Sequence, residues 1–344
     1  MPSSTSNSNS RAAKYPADWH WPGLMLLAGC VFFSILGGWE IIWRYQGFSP
    51  SITDDWPIWS QIRRQANGDA DAVALVGASR IMLGLDPRIL QDEIGGSAHM
   101  LAIDGSNPLP VLAELGRDPD FIGSVICSIA PLWLAAEVDS SGDRTAKWLR
   151  KYGTQPLSSR LETRLALQVQ AHLVFRNGGL APEKLWRKWS QGRPVKPPYA
   201  PMRADRYRRA DYSLVDLHSL RASRVERTRE LHDKAVILQR QDFLQRVADI
   251  EHSVEQIQQR GGAVVFVRFP SCGAVRRIEE ETVPRRRYWD VFADEISANT
   301  LHFADYAGLD TFDCMDGSHL NYDDAVRFTR NLAALLKQKK ILTD

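Results

Sequence analysis

Residues 21 to 43 read WPGLMLLAGCVFFSILGGWEIIW, an apolar run with one charge, Glu40. At about 1.5 Å per residue, a helix of this length covers the roughly 30 Å hydrocarbon core of a bilayer. Trp21, Trp39 and Trp43 lie near its ends, where tryptophan prefers the headgroup boundary. A buried core helix is the other reading, but an uninterrupted run flanked by tryptophans favours a transmembrane helix over residues 21–43. Arg11 and Lys14 precede the run, whereas Arg44 and then Asp54 and Asp55 follow it. That bias points to a single-pass protein of the inner (cytoplasmic) membrane, with its soluble part facing the periplasm or cell exterior. No small-x-small cleavage site follows, which argues against a removed signal peptide. Residues 1–20 are rich in Ser and Asn and read as a disordered cytoplasmic tail, and residues 44–70 as a stalk.

Beyond the stalk, short apolar segments alternate with helical ones. DAVALVGAS reads as a buried strand ending at Gly77, and DPRILQDEIG as a helix capped by Asp86 with Pro87 at its first position. AHMLAID, IGSVICSIAPLW, GGAVVFVRFP and TLHFADYAG read as further strands. Strands that are apolar throughout, rather than alternating, belong to a parallel sheet covered by helices. NYDDAVRFTRNLAALLKQKK is an amphipathic helix, with Ala325, Phe328, Leu332 and Leu335 on one face. The rhythm breaks over roughly 141–260, which is rich in arginine. That stretch reads as a helical insertion ending in one long helix from Ser223 to Arg260. The expected fold class is α/β, with residues 71–344 forming one domain.

Net charge is +2 over 344 residues, so no global charge points to nucleic acid. The four cysteines form no C-x-x-C pair, and no metal site or cofactor is expected. Cys272 and Cys314 sit in polar loops and can pair in an oxidising compartment.

Ligands of open parallel sheets bind at the carboxyl ends of the strands. Three loops there carry polar residues. In VGASR, Ser79 follows the first strand in a tight turn, which can expose its hydroxyl and its N–H at a helix start. In IDGSNP, Gly105 can bring a bare backbone N–H to a substrate oxygen, and Asn107 is a side-chain donor. In DGSHLNYDDAV, His319 can take a proton from Ser79, and Asp316 can hold the imidazole tautomer. Each loop also has a plainer reading as a turn or helix cap, Asn321 being a good N-cap. Arg80 and Arg268 can bind a substrate carboxylate or phosphate, or form salt bridges to local acids.

The order and spacing of GAS79R, DG105SN and D316GSH319 resemble the SGNH (GDSL-type) hydrolases, over most of 72–135 and 262–338. The resemblance implies a three-layer α/β/α sandwich with about five parallel strands. It implies Ser79 as nucleophile, His319 as base, Asp316 as its orienting acid, and the Ser79 and Gly105 N–H groups as oxyanion hole. Two departures stand out: Ala78 replaces the usual aspartate, and the third block, CSIAPLW, has no asparagine, so Asn107 or nothing fills that role. A membrane span ahead of a divergent SGNH domain is also similar to proteins of cell-envelope acylation. Those act on polysaccharide or teichoic acid, often beside a membrane-bound O-acyltransferase. The expected function is a serine esterase or O-acyltransferase acting through an acyl-enzyme. The alternative is a non-catalytic SGNH-like scaffold of a polysaccharide assembly complex.

Overall fold

The computed structural model describes residues 21–137 and 144–342, so the tail expected over 1–20 lies outside the described residues. In chain order the elements begin with α1 (Trp21–Tyr45), α2 (Trp56–Gln65), β1 (Ala72–Val76), α3 (Ser79–Gly84) and α4 (Pro87–Ile94). Next come β2 (Ser97–Met100), α5 (Leu109–Arg117), β3 (Ser124–Ser128), α6 (Pro131–Ala135) and β4 (Ala136–Glu137). A helical stretch holds α7 (Arg144–Tyr152), α8 (Leu157–His172), α9 (Pro182–Ser190) and α10 (Leu217–Asp233). It is followed by β5 (Val236–Ile237), α11 (Arg240–Gln258), β6 (Val264–Arg268) and α12 (Gly273–Thr282). The chain ends with α13 (Trp289–Glu295), β7 (Asn299–His302) and α14 (Tyr322–Gln338).

Five of the strands form one parallel sheet in the order β2-β1-β3-β6-β7. The inner strands are the apolar ones. Every residue of β1 and β6 is buried, whereas the edge strands β2 and β7 are part-exposed. From β1 the chain steps outward to β2, then crosses back to β3 on the other side. This reversal opens a crevice at the carboxyl ends of β1 and β3, where side chains from both loops can meet a ligand. Gly77 makes the exit from β1 possible. A Cβ there would lie 2.6 Å from Ile81 Cγ2 and 3.0 Å from Ser128 Cβ, closer than any side chain tolerates.

The covering helices pack as α4 along α14 and α5 along α11. Their caps are local: Asp86 accepts from Arg88 N, and Asn321 accepts from Asp324 N. The α14 face contains Ala325, Phe328 and Leu332 as expected, with Leu336 fully buried and Leu335 at its margin.

Three boundaries differ from the sequence reading. The expected stalk is part of the body: Trp59 of α2 is fully buried and its indole N–H donates to Leu101 O at 2.8 Å. The expected long helix over 223–260 is two helices, α10 and α11. They are separated by β5, which pairs antiparallel with β4 about a hundred residues earlier. Such a break depends on a distant partner and leaves no periodic mark. α11 packs on α5 and β6, so it is the crossover helix of the sheet, and the inserted region ends before it.

α1 is long and apolar enough to cross a membrane, with a mean hydropathy of 1.9 over its most apolar window and no buried residue. Its last turns touch the body. Glu40 accepts from Val174 N at 2.9 Å and Phe175 N at 3.0 Å, and Arg44 Nη2 donates to His172 O at 2.7 Å.

Arg206 fastens the inserted region to the sheet. Its side chain is fully buried, pairs with Asp54 at 2.6 Å and donates to Met100 O at 2.7 Å. Removing one partner of such a pair strands the other charge in the interior. Arg206→Ala is expected to lower the unfolding free energy by roughly 3–5 kcal/mol in urea titrations; an unshifted midpoint would show that the tie carries no load.

Candidate active site

The strand-end loops place Ser79, His319 and Asp316 in one chain of hydrogen bonds. His319 Nε2 lies 2.8 Å from Ser79 Oγ, and His319 Nδ1 lies 2.8 Å from Asp316 Oδ2. With the Asp316 carboxylate ionised, Nδ1 carries the proton and donates to it, which leaves Nε2 to accept from the serine hydroxyl. Asp316 has no exposed surface, and His319 is nearly as buried. Backbone N–H groups of Ser318 and His319 donate to Asp316 Oδ1 at 2.9 and 2.8 Å. Arg224 Nε donates to Oδ2 at 3.2 Å. Burial pushes the Asp316 carboxyl up, but the His319 hydrogen bond and charge, Arg224 and the backbone donors outweigh it and hold it well below its usual range. Burial lowers the basicity of His319; Asp316 opposes that without cancelling it, so the imidazole stays neutral to lower pH than a free one.

Ser79 opens α3, so its N–H belongs to a first turn that has no intrahelical acceptor. Gly105 sits in a turn closed by Ser106 N donating to Ile103 O at 3.2 Å. Its φ of 68° is in the left-handed region, where a side chain is strained. Ser79 and Gly105 line the same cavity of about 520 Å³, together with Ser128, Trp133, Arg227 and His232. The cavity opens at the crevice between β1 and β3. Arg144, Arg227 and Lys234 also border it, and none of the three has an ion pair among the described residues.

Three of the sequence candidates have other partners. Asn107 Oδ1 accepts from Leu109 N at 3.0 Å, so its side chain starts α5 and does not line the cavity. Arg268 is buried and away from the cavity. Its guanidinium pairs with Glu279 at 2.5 Å and donates to Phe269 O at 2.8 Å. Arg80 does border the cavity, but its Nη2 pairs with Glu279 at 2.5 Å and its Nε donates to Ser318 Oγ at 3.1 Å. It ties the start of α3 to the loop that carries His319. Burial pushes the Glu279 carboxyl up, but Arg268 and Arg80 overcome this and hold it at about 2. Arg268 therefore serves a buried carboxylate, and so does Arg80, whose Nη1 is nonetheless left without a hydrogen-bond partner among the described residues. Arg224 is the participant that the sequence did not single out; its only signal was membership of an arginine-rich helix.

Among the described residues, no three His, Cys, Asp or Glu side chains come together in the way a metal ion requires. All four cysteines are free thiols. Cys272, at the start of α12, accepts from Cys314 N at 3.2 Å, and the two thiols touch. That hydrogen bonding, against the opposing pull of burial, brings the Cys272 thiol down to about 7, whereas Cys314 is pushed far up. Alkylation of the native protein by iodoacetamide is therefore expected to modify Cys272 with a midpoint near pH 7, leaving Cys314 and Cys127 unmodified. A midpoint near 9, the value of an ordinary thiol, would contradict this environment. Compared with known proteins, the chain matches no family model and no curated sequence, so the geometry of the site carries the functional reading by itself.

Proposed function

We propose that the chain is a membrane-anchored serine esterase or O-acyltransferase of the SGNH type, acting on envelope or extracellular polysaccharide. The observation that carries the reading is the unbroken Ser79–His319–Asp316 relay, with 2.8 Å at each link, at the mouth of a cavity. The parallel sheet, with one helix pair built from α4 and α14 and another from α5 and α11, supports a three-layer sandwich of that family. The apolar α1 supports an inner-membrane anchor with the body on the periplasmic or outer side. A membrane-bound O-acyltransferase is the natural neighbour to supply acyl groups there. The three cationic side chains at the cavity rim favour a polymer bearing carboxylate or phosphate groups over a neutral one.

The chemistry proceeds in two halves. Ser79 Oγ attacks the acyl carbonyl while its proton passes to His319 Nε2. The tetrahedral oxyanion faces the N–H groups of Ser79 and Gly105. As the carbon–oxygen bond to the donor breaks, His319 returns the proton to the leaving oxygen, and the acyl group remains on Ser79. A sugar hydroxyl or water then attacks in the same way, and Ser79 is regenerated. Asp316 keeps its negative charge throughout and stabilises the imidazolium.

A non-catalytic scaffold is the second reading. It is favoured by the absence of Asn107 from the cavity lining, its Oδ1 turned to Leu109 N, which leaves the cavity without that side-chain amide.

A fluorophosphonate probe is expected to label the full chain, and labelling is expected to vanish in Ser79→Ala and His319→Ala. Labelling that survives Ser79→Ala, or no labelling of the unaltered protein, favours the scaffold. Asp316→Asn is expected to lower kcat on a small ester by a factor on the order of 10⁴ while leaving KM nearly unchanged. Because burial lowers the His319 pKa, the active neutral base persists below pH 6.5, and the acid limb of kcat/KM is expected at a midpoint under that value. A limb at or above 6.5 would show that Asp316, rather than burial, dominates the His319 environment.

A further inference from the structure

α8 is apolar on two sides. Leu167, with Thr163 and Gln170, is buried on the side that packs against α2. On the surface, Leu157, Leu161 and Leu165 stand at four-residue steps and are 73, 63 and 70% exposed. Val169 and Leu173 continue the same ridge, since residues four apart follow one row along a helix. α9 adds Trp186 and Trp189, 66 and 71% exposed, with ring centres 5.0 Å apart. Single exposed leucines are ordinary, but a row of them along one helix, with an exposed tryptophan pair on a second helix anchored near its carboxyl end, marks an interaction surface.

The position of the ridge indicates its partner. The carboxyl end of α8 is the point at which α1 joins the body: Arg44 donates to His172 O, and Glu40 accepts from Val174 N and Phe175 N. α9 is fastened to the same place, because Leu185 and Trp43 pack on the small cluster of Phe48, Val174 and Leu180. Trp39 and Trp43 meet edge to face, with ring centres 5.7 Å apart, in the last turns of α1, close to that cluster. The charge is equally local. Residues 157–196 contain eight Arg and Lys but only two Glu, in a chain whose total is +2. Arg164, Arg187, Lys188 and Arg193 have no ion pair among the described residues.

We propose that the α8–α9 face rests on the lipid surface of the bilayer that α1 crosses. Leu157, Leu161, Leu165, Trp186 and Trp189 enter the boundary between headgroups and acyl chains, and the surrounding Arg and Lys side chains pair with anionic lipid phosphates. A second copy would set the same positive charge against itself, whereas a bilayer of anionic lipid beside α1 meets both the apolar ridge and the charge. The proposal rests on α1 being a membrane span.

The test uses the full chain in vesicles of phosphatidylethanolamine and phosphatidylglycerol, with a nitroxide spin label at one cysteine at a time. One sample is labelled at Leu161→Cys in a Cys30→Ser, Cys272→Ser background. A second is labelled at native Cys30 within α1 in the Cys272→Ser protein, and a third at Val236→Cys on the exposed strand β5. Relaxation by oxygen reports lipid, and relaxation by a water-soluble nickel chelate reports solvent. Position 161 is expected to resemble Cys30, with oxygen dominant, and 236 to be dominated by nickel. Nickel dominance at 161 with oxygen dominance at Cys30 overturns the docking while leaving the span intact. Shielding of 161 from both reagents shows a protein contact and overturns the lipid assignment. Nickel dominance at Cys30 overturns the span and the docking with it. Replacing phosphatidylglycerol with phosphatidylcholine is expected to lower the oxygen-to-nickel ratio at 161 several-fold; an unchanged ratio overturns the headgroup pairing.

Discussion

The Asp316 carboxylate is the constraint on which the rest of the site depends. Removing a carboxylate from water costs several kcal/mol unless its lone pairs are filled. Here both oxygens are filled, Oδ1 by the N–H groups of Ser318 and His319, and Oδ2 by His319 Nδ1 and Arg224. Three of these four donors come from the loop itself, so the loop has to wrap tightly around the carboxylate. The fourth comes from α10, whose Arg221 also donates to Met315 O. The inserted region is therefore part of the site rather than an ornament on the sheet. On the other side of Ser79, the buried Glu279 collects Arg80 and Arg268 in the same way. Two buried carboxylates, each satisfied, hold the serine turn and the histidine loop in register.

How legible these features were in sequence follows from the range of the interaction that makes them. The inner strands were readable because burial on both faces demands apolar residues throughout, as in AVALV and VVFVR. The caps at Asp86 and Asn321 were readable because a cap is satisfied within three residues. Ser79, Gly105, His319 and Asp316 were readable as a set because each lies just past a strand or just before a helix. Trp59 was not readable as core, since its partner Leu101 lies forty-two residues away. The same holds for Arg224 and Asp316, ninety-two residues apart. An arginine's residue type does not disclose which carboxylate it meets, and so Arg268 and Arg80 read equally well as ligand contacts. Asn107 shows the sharpest ambiguity. A side-chain amide before a helix looks the same whether it turns back on the helix or faces a substrate; here its Oδ1 accepts from Leu109 N and the side chain lies outside the cavity lining.

That assignment has a consequence for how an oxyanion is held. Under the proposed function, with Asn107 outside the cavity lining and with Ser128, Ile129 and Ala130 offering no side-chain amide, the oxyanion is left to two backbone N–H groups. Losing one donor from such a site costs about 3 kcal/mol of transition-state stabilisation. On that reading, charge in the cavity takes the place of a third directed bond. Arg227 Nη2 lies 4.0 Å from where a Cβ on Gly105 would be, lines the same cavity, and has no ion pair among the described residues. A full positive charge at short range in a partly enclosed cavity acts on an oxyanion as strongly as a neutral donor does, and with less dependence on angle. It is also less selective, because it draws in any anion. On the proposed reading, such a site suits acidic acceptors held in place better than rapid hydrolysis of neutral esters. Under the proposed function, that is the balance a transferase needs, since water is always present and the acceptor must outcompete it.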